Sequence, residues 1–149
     1  MFFLNKLANF NRGSSNEKGF EFKKILNSFK LNKNRSYKYK LVSKEQARDL
    51  ILNNSVLLID VRSKEEYETI RLQNSINIPV NELSQNILNI EPNRARGIMI
   101  YCSTGSRSKS AIVLLNQLGY NNLYIWEYAA MNTFPYKELF ISNRGNNNE

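Results

Sequence analysis

The chain has 149 residues, 42% of them hydrophobic and 11% aromatic, which is enough for one folded domain with an extension and too little for two ordinary domains. Charged residues interrupt every apolar run well before the roughly 18 residues that a membrane span requires. One cysteine and no histidine exclude an internal disulfide, a Cys-x-x-Cys pair, a catalytic Cys-His or Ser-His-Asp group and a histidine-ligated metal. We therefore expect no metal and no cofactor.

The net charge of +8 comes entirely from the N-terminal forty residues, which hold ten Lys and Arg against two acidic residues, whereas residues 41–149 hold eleven of each sign. Apolar residues recur there at helical spacing in two short stretches, interleaved with lysines. We predict that residues 1–38 form a basic extension, either disordered or amphipathic, and an amphipathic one would contact an anionic membrane surface or nucleic acid. The segment lacks the apolar stretch of about 7–15 residues that a secretory signal needs. A lone cysteine also fits a reducing compartment, so we expect a soluble, cytoplasmic protein.

From residue 39 onward, amphipathic stretches alternate with short apolar runs. Ser43 with Gln46 and Ser63 with Glu66 have the spacing of capping boxes, and Asn81 is a candidate cap for a later helix. The apolar faces of the predicted helices are, in chain order, Ala47/Leu50/Ile51, Leu83/Ile87/Leu88/Ile90 and Ala111/Ile112/Leu115/Leu118, the last of these ending at Gly119.

The apolar runs between these helices predict buried strands at residues 56–59, 76–78, 97–101 and 123–126. Strands that alternate with helices favour parallel pairing, because each crossover needs a covering helix. The predicted fold class is therefore α/β, with a mostly parallel central sheet flanked by helices on both faces. We predict that this domain spans residues 39–141 and that the Asn-rich tail, residues 142–149, is disordered.

Cys102 follows the most apolar of the predicted strands directly and precedes a helix. Ligands of open α/β sheets bind at the carboxyl ends of the strands, so this is a position for a reactive group. A cysteine attacks as its thiolate, and an unperturbed thiol is only a few per cent ionised at neutral pH. The site therefore needs a device that stabilises negative charge on sulfur.

The residues after Cys102 provide such a device. They are small, so successive backbone N–H groups can point inward, and the helix that follows adds the partial positive charge of its N-terminus. Arg107 adds a permanent cation, and the resulting cradle would hold a persulfide or another compact anion. A lone cysteine after an apolar strand is often only a small buried hydrophobe, but a core position does not require the polar sequence that follows this one. We predict Cys102 and Arg107 as catalytic residues. The predicted substrate-binding residues are Ser103, Thr104, Gly105, Ser106 and Ser108.

On these residues the chain from about Leu41 to Phe140 resembles the single-domain rhodaneses, the thiosulfate sulfurtransferase family. The landmarks that carry the resemblance are Asp60-Val61-Arg62 followed by Glu66-Tyr67, then Ile76-Asn77-Ile78-Pro79, the loop Tyr101-Cys102-Ser103-Thr104-Gly105-Ser106-Arg107-Ser108, and Leu118-Gly119-Tyr120. The resemblance implies a rhodanese-like fold.

The resemblance also implies a two-step reaction. Cys102 would take a sulfane sulfur from a small anionic donor such as thiosulfate, become a persulfide, and pass the sulfur to cyanide, an external thiol or a partner protein. Arg107 would orient the donor and stabilise the persulfide. Asp60 and Arg62 are expected to support the site as a charged pair that fixes the turn between strand and helix. Since the chain has no second cysteine, an external acceptor must release the sulfur.

The chain departs from the family pattern at two places. Ile70-Arg71-Leu72 stands where the family usually has Gly-His-Ile, and Tyr128-Ala129 stands where it usually has Gly-Gly, without the tryptophan expected a few residues later. The second departure is expected to add bulk beside the active loop.

Two other readings remain open. Related phosphatases and arsenate reductases place five residues between the Cys and the Arg of their loop, whereas four intervene here, which favours a sulfur atom over a tetrahedral oxyanion. The alternative function, of a different class, is a sulfur carrier or protein-interaction module without turnover, which the altered glycine pair favours.

Overall fold

The computed structural model describes residues 36–143. In chain order its elements are β1 (Lys40–Leu41), α1 (Lys44–Leu52), β2 (Leu57–Asp60), α2 (Lys64–Thr69), β3 (Ile70–Leu72), β4 (Ser75–Asn77), α3 (Leu83–Ile90), β5 (Ile98–Tyr101), α4 (Ser106–Gln117), β6 (Leu123–Ile125) and β7 (Phe140–Ser142). Three single-turn 3-10 helices lie between β6 and β7, at Glu127–Ala129, Met131–Thr133 and Lys137–Leu139. The predicted extension up to residue 35 and the predicted tail from residue 144 lie outside the described residues.

The central sheet has the strand order β1-β6-β5-β2-β4, and every pair in it is parallel. This confirms the predicted α/β class and the four predicted strands. β5 lies in the middle of the sheet, with its last residue, Tyr101, opposite Asp60 at the end of β2. The chain therefore leaves β5 at the carboxyl edge of the sheet, between two other strands.

Three further strands were not predicted: the two-residue β1 at the edge of the central sheet, β3 and β7. β3 and β7 form a separate antiparallel pair that joins Ile70 to Ser142 and Leu72 to Phe140. Each is three residues long, and the partners lie about seventy residues apart in the chain. Such short segments carry too little alternation for a sequence pattern to show.

Both faces of the sheet are buried, and successive residues of each central strand point to opposite faces. Ile59 and Ile100 pack with Ile87 of α3 and Leu115 of α4. Their strand neighbours pack on the other face, where the core residues come from the strands, from α1 and from the segment after β6: Leu58, Met99, Ile51, Trp126 and Phe134. Burial on both faces explains why these strands read as continuous apolar runs rather than as alternating patterns.

The helix caps agree with the sequence patterns at two helices and differ at a third. Ser43–Gln46 and Ser63–Glu66 form capping boxes at the starts of α1 and α2, as predicted. The prediction that Asn81 caps α3 is wrong, because α3 begins one residue later, after Glu82, and has no side-chain cap. Asn81 instead lies inside a turn that the Glu82 N–H closes by donating to the Pro79 carbonyl, 2.8 Å away.

Residues just before 39 and just after 141 also contact the domain. Tyr37 packs against the core on the α3 and α4 face, and the Asn116 side chain in α4 makes two hydrogen bonds with the backbone of Lys38. At the other end, β7 and Asn143 continue beyond residue 141, and the Asn143 N–H donates to the Thr69 carbonyl, 3.1 Å away. Contacts within the described residues therefore run from Tyr37 to Asn143, and the domain limits of 39 and 141 stay a prediction. In this part of the chain no helix is long and apolar enough to cross a membrane.

Candidate functional site

Cys102 lies one residue beyond β5, at the carboxyl edge of the sheet, and its side chain is completely buried. Its backbone is held by the segment that follows β6. The Cys102 N–H donates to the Ala129 carbonyl, 3.0 Å away, and the Cys102 carbonyl accepts from the Met131 N–H, 2.8 Å away. These bonds form a short parallel bridge with Ala130. The backbone of Cys102 is therefore fixed both by β5, which it follows, and by the segment after β6.

The sulfur accepts a hydrogen bond from the loop itself. The Gly105 N–H lies 3.0 Å from the Cys102 Sγ, and Gly105 is also the residue that precedes α4. Among the described residues it is the one backbone donor within bonding distance of the sulfur, so only one of the N–H groups that were expected to point inward contacts it. The N-terminal end of α4 faces the sulfur and favours negative charge there.

Gly105 adopts φ +99°, and a Cβ atom at this position would lie 2.1 Å from the Tyr128 carbonyl oxygen. The left-handed backbone conformation and the lack of space both require glycine. The loop therefore closes around the sulfur against the backbone of the segment after β6.

Arg107 spans the gap between the loop and α2. Its Nη1 lies 2.5 Å from the Glu66 Oε2, and its Nη2 lies 3.0 Å from the Glu66 Oε1. The same Nη2 donates to the Ser103 hydroxyl, 3.3 Å away, and that hydroxyl donates to the Glu66 carboxylate over 3.3 Å. The guanidinium thus forms a bidentate ion pair with Glu66, and the Ser103 hydroxyl of the loop accepts a further hydrogen bond from it.

The electrostatics of this pair keep both members charged. Hydrogen bonds from Arg107 lower the pKa of Glu66 to about 2. Hydrogen bonds with Glu66 raise the pKa of Arg107, and the charges of Glu66, Cys102 and Asp60 add smaller contributions in the same direction.

Sequence reasoning identified Glu66 as a helix-capping residue and missed its part in the site. Its carboxylate does both, because the Oε2 also accepts from the Ser63 N–H, 3.0 Å away. The reason lies in the strand order, which the sequence pattern does not reveal: β2 and β5 are neighbouring parallel strands, so the helices that begin after them have adjacent N-terminal turns. An acidic residue in the first turn of α2 is therefore placed to meet a basic residue in the first turn of α4.

The other predicted substrate-binding residues have three different placements. Thr104 and Ser106 are exposed on the loop, while Ser103 belongs to the contact between Arg107 and Glu66. Ser108 is fully buried, and its hydroxyl donates to the Ala129 carbonyl, 3.2 Å away. The structure therefore brings Ser103 and Arg107 together at Glu66 and places Ser108 as a support for the segment behind the loop.

Asp60 and Arg62 form a buried ion pair in the turn between β2 and α2. The Arg62 Nη2 lies 2.7 Å from the Asp60 Oδ2 and also donates to the Ile70 carbonyl, and the Arg62 backbone N–H donates to the Asp60 Oδ1. The Asn77 side chain donates to the backbone carbonyls of both residues. The pair and its partners fix the turn that presents Glu66 to the loop.

The two departures from the family pattern have different structural outcomes. Ile70-Arg71-Leu72 forms β3, and the Leu72 N–H donates to the buried Tyr101 hydroxyl, 3.1 Å away. Tyr128 and Ala129 both have positive φ, +61° and +48°, so they retain a backbone conformation that favours glycine. The Tyr128 side chain is 63% exposed. The bulk expected beside the loop is therefore mainly a backbone carbonyl, and the ring points into solvent.

No three His, Cys, Asp or Glu side chains within residues 36–143 lie close enough together to hold a metal ion. The chemistry available to the described site is that of a thiol, a backbone donor and a paired guanidinium.

Comparison with known proteins agrees with this geometry. The model of the rhodanese-like domain family matches residues 43–129. Thiosulfate sulfurtransferase PspE of Escherichia coli K12 is 34% identical over 65 residues, which are 44% of this chain and 62% of PspE, less than two thirds of its length. Rhodanese domain-containing protein CG4456 of Drosophila melanogaster is 33% identical over 107 residues, 63% of this chain and 95% of CG4456. The structure of the human single-domain sulfurtransferase TSTD1 aligns with a TM-score of 0.54 at 26% identity, covering 60% of this chain and 89% of TSTD1. The chain belongs to the rhodanese-like domain family.

Proposed function

We propose that the chain is a sulfurtransferase that moves a sulfane sulfur from a donor such as thiosulfate to a thiol or cyanide acceptor through a persulfide on Cys102. The observation that carries the proposal is the hydrogen bond of 3.0 Å from the Gly105 N–H to the Cys102 Sγ at the carboxyl edge of the sheet. The similarity to PspE, which is named a thiosulfate sulfurtransferase, supports the choice of donor.

In the first step the Cys102 thiolate attacks the outer sulfur of thiosulfate. The sulfur–sulfur bond of the donor breaks, sulfite leaves with the bonding electron pair, and Cys102 carries a persulfide. In the second step the acceptor attacks the outer sulfur of the persulfide, the Cys102 thiolate leaves, and the product is thiocyanate or an acceptor persulfide. Charge balances in both steps, so the cycle needs no external oxidant or reductant.

Each step moves negative charge between the Cys102 sulfur and the atom bound to it. The Gly105 N–H and the N-terminal end of α4 favour that charge in both states. Arg107, at the end of the same loop, is held in an ion pair with Glu66. The chain has one cysteine, so an intramolecular disulfide cannot compete with transfer to the acceptor.

The test is a measurement of intact mass. Incubation of the purified chain with thiosulfate, followed by removal of the donor, should add the mass of one sulfur atom. The Cys102→Ser variant should show no addition, and Ser110→Ala, which alters another hydroxyl of α4 without touching the sulfur, should behave as the wild type. An unchanged wild-type mass with thiosulfate and with other sulfane donors would contradict the proposal.

The alternative is a sulfur carrier or protein-interaction module that does not turn over. The complete burial of Cys102 and the residues at the usual glycine pair favour it. The two functions differ in the second step, because a carrier would keep its persulfide when cyanide or a small thiol is added. Steady-state formation of thiocyanate, absent in Cys102→Ser, would decide for the transferase.

A further inference from the structure

We infer that Glu66 sets the charge preference of the sulfur-transfer site, by neutralising Arg107 and so favouring sulfur donors of low charge over dianions such as thiosulfate. The inference rests on the proposed function and narrows its substrate class. The preferred donor would be a persulfide or another sulfane compound with no more than one negative charge near the reacting sulfur. Glu66 is in this view a specificity-determining residue that acts through Arg107.

The charges of the described site are paired. From Cys102 to Arg107, Arg107 is the only charged residue of the loop. Both of its terminal nitrogens contact the Glu66 carboxylate, at 2.5 and 3.0 Å. A second arginine, Arg62 in the turn between β2 and α2, is paired with the buried Asp60. An incoming anion therefore meets two neutral pairs where the sequence alone suggested an unpaired cation.

The pairing also uses the geometry through which arginine binds anions. A guanidinium recognises carboxylates and similar anions through two parallel N–H donors, and in Arg107 those donors face Glu66. A thiosulfate ion would have to displace the carboxylate or bind beside it. Binding beside it places two negative charges near a third.

The carboxylate does not lose its charge at neutral pH, because hydrogen bonds from Arg107 hold the pKa of Glu66 at about 2. Its effect on an anion is therefore permanent. A charge at about 6 Å in a water-like medium changes the binding of a dianion by about tenfold, and ionic screening reduces this to about threefold. The binding of a monoanion should change by about the square root of that factor, roughly twofold, and the binding of a neutral donor should not change.

The experiment uses the full chain with Glu66→Gln. Glutamine is as suitable as glutamate at this position of a capping box, so α2 keeps its cap while the charge is removed. Steady-state kcat and KM are measured with three donors at a fixed, saturating thiol: thiosulfate, a monoanionic thiosulfonate and a neutral organic trisulfide. Relative to the wild type, kcat/KM should rise about threefold for thiosulfate and about twofold for the thiosulfonate. It should not change for the trisulfide, and the gains should appear in KM.

Two further variants serve as controls. Glu65→Gln removes the same charge at the neighbouring exposed position of α2, and it should leave the order of the donors as in the wild type. Glu66→Asp keeps the charge and shortens the side chain, so it should also retain the wild-type preference. A structural defect in α2 would lower all three rates together, whereas the inferred role changes their ratio.

A loss of thiosulfate activity in Glu66→Gln, or an equal change with all three donors, would overturn the inference and assign Glu66 to holding Arg107 in place. A gain in Glu66→Asp equal to that in Glu66→Gln would also overturn it. A wild-type chain that is inactive with every donor would instead count against the proposed function. An active wild type with an unchanged donor ratio in Glu66→Gln would leave that function standing and remove only the role of Glu66.

Discussion

Replacing Gly105 by Ala should damage both the fold and the transfer of sulfur. The added Cβ would lie 2.1 Å from the Tyr128 carbonyl oxygen, and the backbone at residue 105 has φ +99°. The obstructing atom belongs to the backbone, so it cannot move away by a change of side-chain rotamer. Either the segment after β6 or the loop itself must move.

The cost has two parts. A left-handed backbone costs an L-residue about 1–2 kcal/mol, and crowding a packed site costs about 1–3 kcal/mol, so we expect a loss of about 3 kcal/mol in the free energy of unfolding. In a domain of this size that lowers Tm by roughly 12 °C. The Gly105 N–H that lies 3.0 Å from the sulfur would be displaced as well, and misplacing one such donor should slow transfer by at least about tenfold.

Thermal unfolding and a thiosulfate-to-cyanide rate assay check these values. The matched control is Gly97→Ala, because a Cβ there would meet its nearest neighbours at 3.4 Å, an ordinary contact distance. It should change stability by less than about 1 kcal/mol. Equal Tm values for the two variants, together with a wild-type rate in Gly105→Ala, would show that the Tyr128 carbonyl does not confine the loop.

Arg62→Met should lower the free energy of unfolding by about 3–5 kcal/mol, because it leaves the buried Asp60 carboxylate unpaired; denaturant unfolding measures this, and the double variant with Asp60→Leu should recover part of the loss. A loss below about 1 kcal/mol would contradict the role of the pair. Tyr128→Gly should stabilise the fold by about 0.5 kcal/mol, since it relieves φ +61° at an exposed side chain and only part of the gain is offset by the entropy of glycine. Tyr39→Gly, at another exposed tyrosine with ordinary φ, should destabilise, and an equal loss at both positions would show that Tyr128 is unstrained.

The parts of the fold that were predictable are those that local patterns encode. Capping boxes mark the starts of α1 and α2, and apolar runs mark the central strands, because burial on both faces demands them. The position of Cys102 follows from the same reasoning, since it comes directly after the central strand. β3 and β7 depend on pairing between distant three-residue segments, which leaves no local trace.

The candidate site was predictable in its loop and not in its surroundings. The contact between Arg107 and Glu66 joins residues 41 positions apart, and only the order of strands in the sheet brings them together. Tyr128, which stands where the family usually has glycine, was expected to add bulk beside the loop. The structure keeps the left-handed backbone and turns the ring to solvent, because the hydrogen bonds around Cys102 and Ala129 hold that segment in place.

The complete burial of Cys102 has a consequence for kinetics. A reagent of any size can reach the sulfur only after the loop has opened, so modification of the resting chain is gated by a local fluctuation. When closing is faster than reaction, the modification rate equals the intrinsic rate of the reagent multiplied by the open fraction. Comparing the alkylation rates of Cys102 with a small and a bulky reagent would then show how wide the loop opens. The result sets an upper limit on the size of the sulfur donors and acceptors that can reach the sulfur.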